Sequence, residues 1–128
     1  MTGSGAKVLG HHHVLAVADV AESARWWIEV MGFELWMAPD GWKFVRRGNC
    51  AIMMGECPDA IPVKDLGDHQ YFAYFELDDV DAYHAEIRDR CEGILFGPQD
   101  QPWGMREMHV RSPEGHRMIF AHDLERAG

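Results

Sequence analysis

The order of apolar and polar positions in this chain repeats. From Val8 to Val17 the residues read as a strand, and from Asp19 to Gly32 apolar residues recur at helical spacing. Ala24, Trp27, Ile28 and Met31 form the buried stripe of that helix. Asp19 followed three residues later by Glu22 is a capping-box-like start that places acidic groups at the positive end of the helix. Gly32 supplies a left-handed stop. Short strands are expected near 33–37, 41–46 and 50–54, separated by the turn signals Pro39-Asp40-Gly41 and Gly48-Asn49. The same order returns after a linker over 57–68. A strand near 70–77 leads into a helix with Val80, Tyr83 and Ile87 on one face and Gly93 as its stop. A strand near 94–96 follows, then the loop GPQDQPWG. A hairpin of strands 105–111 and 116–120 closes the copy, turning at Ser112-Pro113-Glu114-Gly115.

Two copies of one strand–helix–three-strand unit, about 8–56 and 70–123, imply a single domain made of related halves. Val20 matches Val80 and Gly32 matches Gly93, so each half serves as a ruler for the other. The fold class expected is α+β: two βαβββ modules forming curved mixed sheets around a cavity, with the helices outside. Strand alternation then decides which side chains look into that cavity.

Composition narrows the function. At 128 residues, 47% of them hydrophobic and 26% charged, the chain is an ordinary globular domain. Its net charge of −9 argues against nucleic acid and anionic membranes, and suits a neutral or cationic ligand. Solubility alone also accounts for that charge. No apolar run is long enough to span a bilayer, and the opening MTGSGAK reads as a flexible leader without a secretion signal. Cys50, Cys57 and Cys91 are odd in number and unpaired in spacing, which suggests reduced thiols and a cytoplasmic location. There is no phosphate loop and no nucleophile elbow.

The segments HHVLAVADVAESARWWIEVMGFEL and PWGMREMHVRSPEGHRMIF, with the repeat between them, resemble the vicinal oxygen chelate superfamily. That superfamily includes glyoxalase I, bleomycin-resistance proteins, fosfomycin-resistance enzymes and extradiol dioxygenases. The resemblance implies the paired-module fold, but not one reaction, since the superfamily includes enzymes and pure binders. It also implies where a divalent metal would be held. His12 falls at the first ligand position, Met53 at the second, and the internal ruler carries these to Phe72 and Ile119. Three of the four are hydrocarbon or thioether, so no metal and no cofactor are expected. A divalent metal remains the alternative. Glu107 and His109 could join His12 in a displaced metal site, or act as a general base with its orienting carboxylate, or simply pair at the cavity mouth.

The ligand-facing residues expected are Val14, Met53, Phe72, Tyr74, Trp103 and Ile119, with Ala16 beside them. The facing of Trp36, Trp42 and Phe44 is left open, and for Tyr74 and Trp103 so is the choice between pocket and core. Resemblance to the drug-sequestering branch implies a metal-free homodimer binding a small molecule, cationic or aromatic. The alternative is a lyase, isomerase or dioxygenase working through a displaced metal or through His109 and Glu107. A module with a vestigial cavity is a third reading. Whether the modules pair within one chain or between chains is not decided by the sequence.

Overall fold

A computed structural model of the protein describes residues 5–6, 9–66 and 71–125. The strand starts at Val8 and Gln70, and His69 before the second of them, lie outside the described residues. The first module runs β1 (His13–Val17), α1 (Val20–Glu29), β2 (Glu34–Met37), β3 (Trp42–Arg47) and β4 (Cys50–Glu56). A short 3₁₀ turn, Val63–Asp65, interrupts the linker. The second module runs β5 (Tyr71–Glu76), α2 (Val80–Ile87), β6 (Ile94–Asp100), β7 (Met105–Arg111) and β8 (Arg117–Asp123). Two four-stranded sheets result, ordered β1-β4-β3-β2 and β5-β8-β7-β6. In each the first strand pairs parallel with the last and the other pairs are antiparallel. The α+β class and the βαβββ order are those expected from the repeat.

The helices begin alike because the same residue does the same work at both starts. Asp19 accepts a hydrogen bond from the Glu22 N–H at 3.0 Å, and Asp79 from the Ala82 N–H at 3.0 Å. A second acceptor from the last strand joins each cap. Glu56 Oε1 receives the Val20 N–H at 3.2 Å, and His122 Nδ1 receives the Val80 N–H at 2.8 Å. Gly32 ends the first helical segment at φ +77°, a conformation that L side chains rarely adopt. Its counterpart Gly93 does not act as the expected left-handed stop, for its φ is not positive. α2 ends at Ile87, and Gly93 instead lets β7 pass close by. A Cβ there would collide with the Arg111 carbonyl, whose own N–H donates to Gly93 O at 2.8 Å.

Each helix packs on one face of its own sheet. Trp27 and Met31 of the first module, and Val80 and Ile87 of the second, are buried with Ile52, Met54, Met108, Met118 and Phe120 in one continuous core. Burying each large apolar side chain of this kind contributes about 1.5–3 kcal/mol. The modules meet on this helix side. Tyr83 donates to Met31 O at 2.7 Å, Arg90 to Val30 O at 2.7 Å and Arg47 to Met31 O at 3.1 Å, so α2 and β3 satisfy carbonyls left over at the end of α1.

The opposite faces of both sheets are left open. Val14 is 62% exposed and Tyr74 47%. A single chain therefore does not wrap its two inner faces around one closed cavity.

Two strands differ from expectation. The GPQD segment read as loop continues β6 to Asp100, with register shifts against β7 at Ile94/Phe96 and Phe96/Gln99. In β5 a register shift between Tyr71 and Ala73 breaks the alternation.

Candidate functional site

The strand registers place equivalent residues on the two open faces. In the first sheet Val14, Met53 and Phe44 lie side by side, as do Ala16, Gly55 and Trp42. In the second sheet the same places are held by Tyr74, Ile119 and His109, and by Glu76, Ala121 and Glu107. The match of Met53 to Ile119 is the one the hairpin ruler gave. Their neighbours Ile52, Met54, Met118 and Phe120 point the other way into the core, which fixes the facing of the row.

The first face is aromatic. His12 stacks on Trp36 at 5.4 Å between ring centroids, Trp36 lies 5.7 Å from Phe44, and Trp42 meets Phe44 edge-on at 6.2 Å. The indole of Trp42 covers Gly55, where a Cβ would come within 3.0 Å of the ring. The guanidinium of Arg46 sits 5.6 Å over Trp36. All three aromatics whose facing the sequence left open belong to this wall.

The second face is a hydrogen-bonded network centred on Glu107, which is 2% exposed. Its Oε2 accepts from the Tyr74 hydroxyl at 2.6 Å and from Trp103 Nε1 at 2.8 Å, and its Oε1 lies 3.2 Å from His109 Nε2. Burial raises the pKa of this carboxyl, but the three donors and the attraction of His109 outweigh it and hold the group below its ordinary value. Tyr74 moves upward, first through the partial desolvation of its hydroxyl and then because it donates to Glu107. An ionised carboxylate only accepts, so the hydrogen-bond network assigns the proton of His109 to Nε2. Nδ1 is then left as an acceptor, with the Tyr71 hydroxyl 3.4 Å away, a weak contact. Phe96 packs on the imidazole at 4.2 Å.

Glu107 and His109 are thus brought together, and Tyr74 and Trp103 are tied to them. Trp103 remains 64% exposed, anchored through its N–H alone. Tyr74 and Trp103 therefore belong to the open face and not to the core.

Phe72 is the exception. It was expected on the open face, but the break in β5 turns it inward to Trp27, Phe75 and His116, at 6.2, 6.1 and 5.8 Å between centroids. Tyr71 takes its place, pairing with Arg117, whose guanidinium lies 4.5 Å over the Tyr71 ring. No sequence signal marked Tyr71, because a bulge is set by the pairing of strands far apart in the chain.

The donors for a divalent cation are poor. Of the residues that the resemblance puts at ligand positions, Met53 and Ile119 are apolar, Phe72 is partly buried against the core, and His12 is stacked on Trp36. The displaced site fares no better within one chain. Both Glu107 oxygens are already accepting, and His12, Glu107 and His109 do not converge. Among the described residues the one convergent trio is Asp79, Asp81 and His122. Each of these is occupied: Asp79 caps α2, Asp81 holds Arg106 at 3.0 Å, and His122 accepts from Val80. Cys50 is no nucleophile either, since burial pushes its thiol up to about 11.

The sequence profile of the Glyoxalase/Bleomycin resistance protein/Dioxygenase superfamily matches residues 10–120. No curated protein sequence matches significantly. Among solved structures, the bleomycin-binding protein from bleomycin-producing Streptomyces verticillus, complexed with copper(II)-bleomycin, is 27% identical with a TM-score of 0.72. The match covers 90% of this chain and 96% of that one. TioX from Micromonospora sp. ML1 is 24% identical with a TM-score of 0.70, covering 88% and 94%. The bleomycin resistance determinant encoded on the transposon Tn5 is 19% identical with a TM-score of 0.74, covering 91% and 98%. With its repeat, its paired mixed sheets and a profile match over most of its length, the chain belongs to the glyoxalase/bleomycin resistance protein/dioxygenase superfamily.

Proposed function

We propose that the protein is a metal-free small-molecule binding protein of the bleomycin-resistance type, and that it works as a homodimer. The observation that carries this reading is the open aromatic wall of His12, Trp36, Trp42 and Phe44, with Met53 between its strands. A partly exposed aromatic wall beside the exposed Val14 is the kind of surface that marks a ligand or partner site. A second copy facing it with the Glu107 network would give a cavity with one apolar side and one hydrogen-bonding side. The net charge of −9 favours a cationic, aromatic-bearing ligand. The bleomycin-binding relative supports that ligand class. Three free cysteines support a reducing, cytoplasmic setting. No helix of the described residues is long and apolar enough to cross a membrane.

Bleomycin titrated calorimetrically into the purified protein tests this reading, with light scattering to give the mass in solution. Saturable binding by a dimer, weakened about tenfold or more by Trp42→Ala, is the expected result. A monomer with no affinity for bleomycin would overturn it. Metal analysis after exposure to nickel, zinc, manganese and iron is expected to show no stoichiometric metal.

One observation favours a second reading. Glu107 holds His109 in the tautomer whose Nδ1 can take a proton, the arrangement of a general base and its orienting carboxylate. An enzyme of that kind would lose turnover in His109→Ala and keep its affinity for ligand. A pure binder has no turnover to lose.

A further inference from the structure

Two grooves at the module junction are related by the internal repeat. Each lies between the helix of one module and the hairpin turn of the other. One, with a volume of about 800 Å³, separates α2 from the β3–β4 turn. The other, about 470 Å³, separates α1 from the β7–β8 turn. Both are within the range of ligand sites, roughly 300–1,000 Å³.

The protein bridges the first groove with its own cation. Arg47 reaches from the hairpin to α2, where its guanidinium meets both oxygens of Glu86 at 2.6 and 2.8 Å and lies 4.8 Å over the Tyr83 ring. That is bidentate carboxylate recognition combined with a cation–π contact. In the second groove the aromatic stays on the helix and the carboxylate moves to the hairpin turn. Trp26 of α1 stands at the helix position of Glu86, sixty residues earlier as for Asp19 and Asp79. The carboxylate comes instead from the hairpin, as Glu114. Among its lining residues no arginine bridges helix and turn. The one lining arginine, Arg25, lies 3.7 Å from Glu29, and Asp19, Glu22 and Glu29 add further carboxylates to the rim.

An independent feature marks the same groove. His116 lines it and is 6% exposed, with its ring edge-on to Phe72 at 5.8 Å between centroids. Burial lowers its pKa, with Glu114 opposing, which favours the neutral ring with one nitrogen free to accept. Ser23 donates to Glu114 Oε1 at 2.9 Å and holds that carboxylate at the groove.

We propose that the groove between α1 and the β7–β8 turn binds a small organic amidinium or guanidinium cation, taking the place that Arg47 occupies in the companion groove. Glu114 would accept from the planar fork, His116 would accept a further N–H, and Trp26 would cover the apolar body. The site lies apart from the open sheet faces, and it stands whether or not those bind bleomycin.

Benzamidine is the probe, with neutral benzamide as its control, followed by amide NMR shifts. Saturable shifts are expected over Asp19–Val30 and Ser112–His116 with benzamidine and none with benzamide. Glu114→Gln should weaken binding about tenfold or more. Glu86→Gln, in the companion groove, should bind within about threefold of the parent. Absence of saturable shifts, shifts centred on Trp42–Met53, equal binding of benzamide, or unchanged affinity in folded Glu114→Gln would each overturn the proposal.

Discussion

The two open faces occupy the same places in two copies of one sheet and have opposite chemistry. Where the first module has Trp42, Phe44 and Val14, the second has Glu107, His109 and Tyr74. The helix-facing sides are alike: Ile52 and Met54 answer Met118 and Phe120, all buried. A repeat keeps its core positions because the helix stripe must be covered in both copies. Its open positions are not held by that requirement. The aromatic wall is joined by weak ring contacts and stays half exposed, whereas the polar face is locked by hydrogen bonds to one buried carboxylate. The first should matter to ligand more than to folding, and the second to both.

The largest effect should come from the residue that left the open face. Phe72→Ala removes a ring packed against Trp27 and Phe75, and should cost about 3 kcal/mol in urea unfolding. Tyr71→Ala beside it should cost under about 1 kcal/mol. Equal losses would mean that the break in β5 does not separate core from face.

Next is Glu107→Ala, which strips the acceptor from Tyr74, Trp103 and His109. A loss of about 1–3 kcal/mol is expected, with altered Trp103 fluorescence. The equivalent change in the first module, Trp42→Ala, should stay under about 1 kcal/mol while weakening ligand. A reversed order would break the contrast between a structural and a ligand-facing sheet.

The pH dependence should come in two steps. His13 and His116 are both lowered, chiefly by burial, so the unfolded chain binds more protons. Stability should therefore fall as pH drops below about 6.5 toward the folded values. Glu107 and Glu86 are lowered too. Their contribution is complete above the unfolded value near 4.3 and is lost as pH falls through the folded ones. Melting temperatures from pH 8 to 3 measure this, and Glu107→Gln should flatten the acid step. The smallest effect should be Glu56→Gln. It keeps an acceptor for the Val20 N–H and should change stability by under about 0.5 kcal/mol.

Much of the site was legible because alternation is legible. Once the strands were found, parity placed Val14, Met53, Tyr74, Ile119, Glu107 and His109 on the faces turned away from the helices, though it expected those faces to enclose a cavity. The hairpin ruler that matched Met53 to Ile119 agrees with the observed register, since both hairpins pair the same way against their last strands. Parity failed at Phe72, where one irregular step in β5 exchanged it with Tyr71. It was silent on Trp36, which lies at a second register shift, between Leu35 and Met37. Gly93 misled for a related reason: a glycine required by a neighbouring strand cannot be told by sequence from one required by its own φ. Glu56 and His122 show the ruler unused, for they are sixty-six residues apart and cap equivalent helices.

The sequence by itself determined the repeat, the helix caps and the faces of the regular strands, because each depends on local spacing and side-chain chemistry. Only the tertiary structure decided that the modules meet through their helix sides and leave both inner faces open. It also drew Tyr74, Trp103 and His109 around one carboxylate and bridged one inter-module groove with Arg47. These depend on contacts between segments distant in the chain, where packing and backbone pairing choose among arrangements that local pattern leaves equally good.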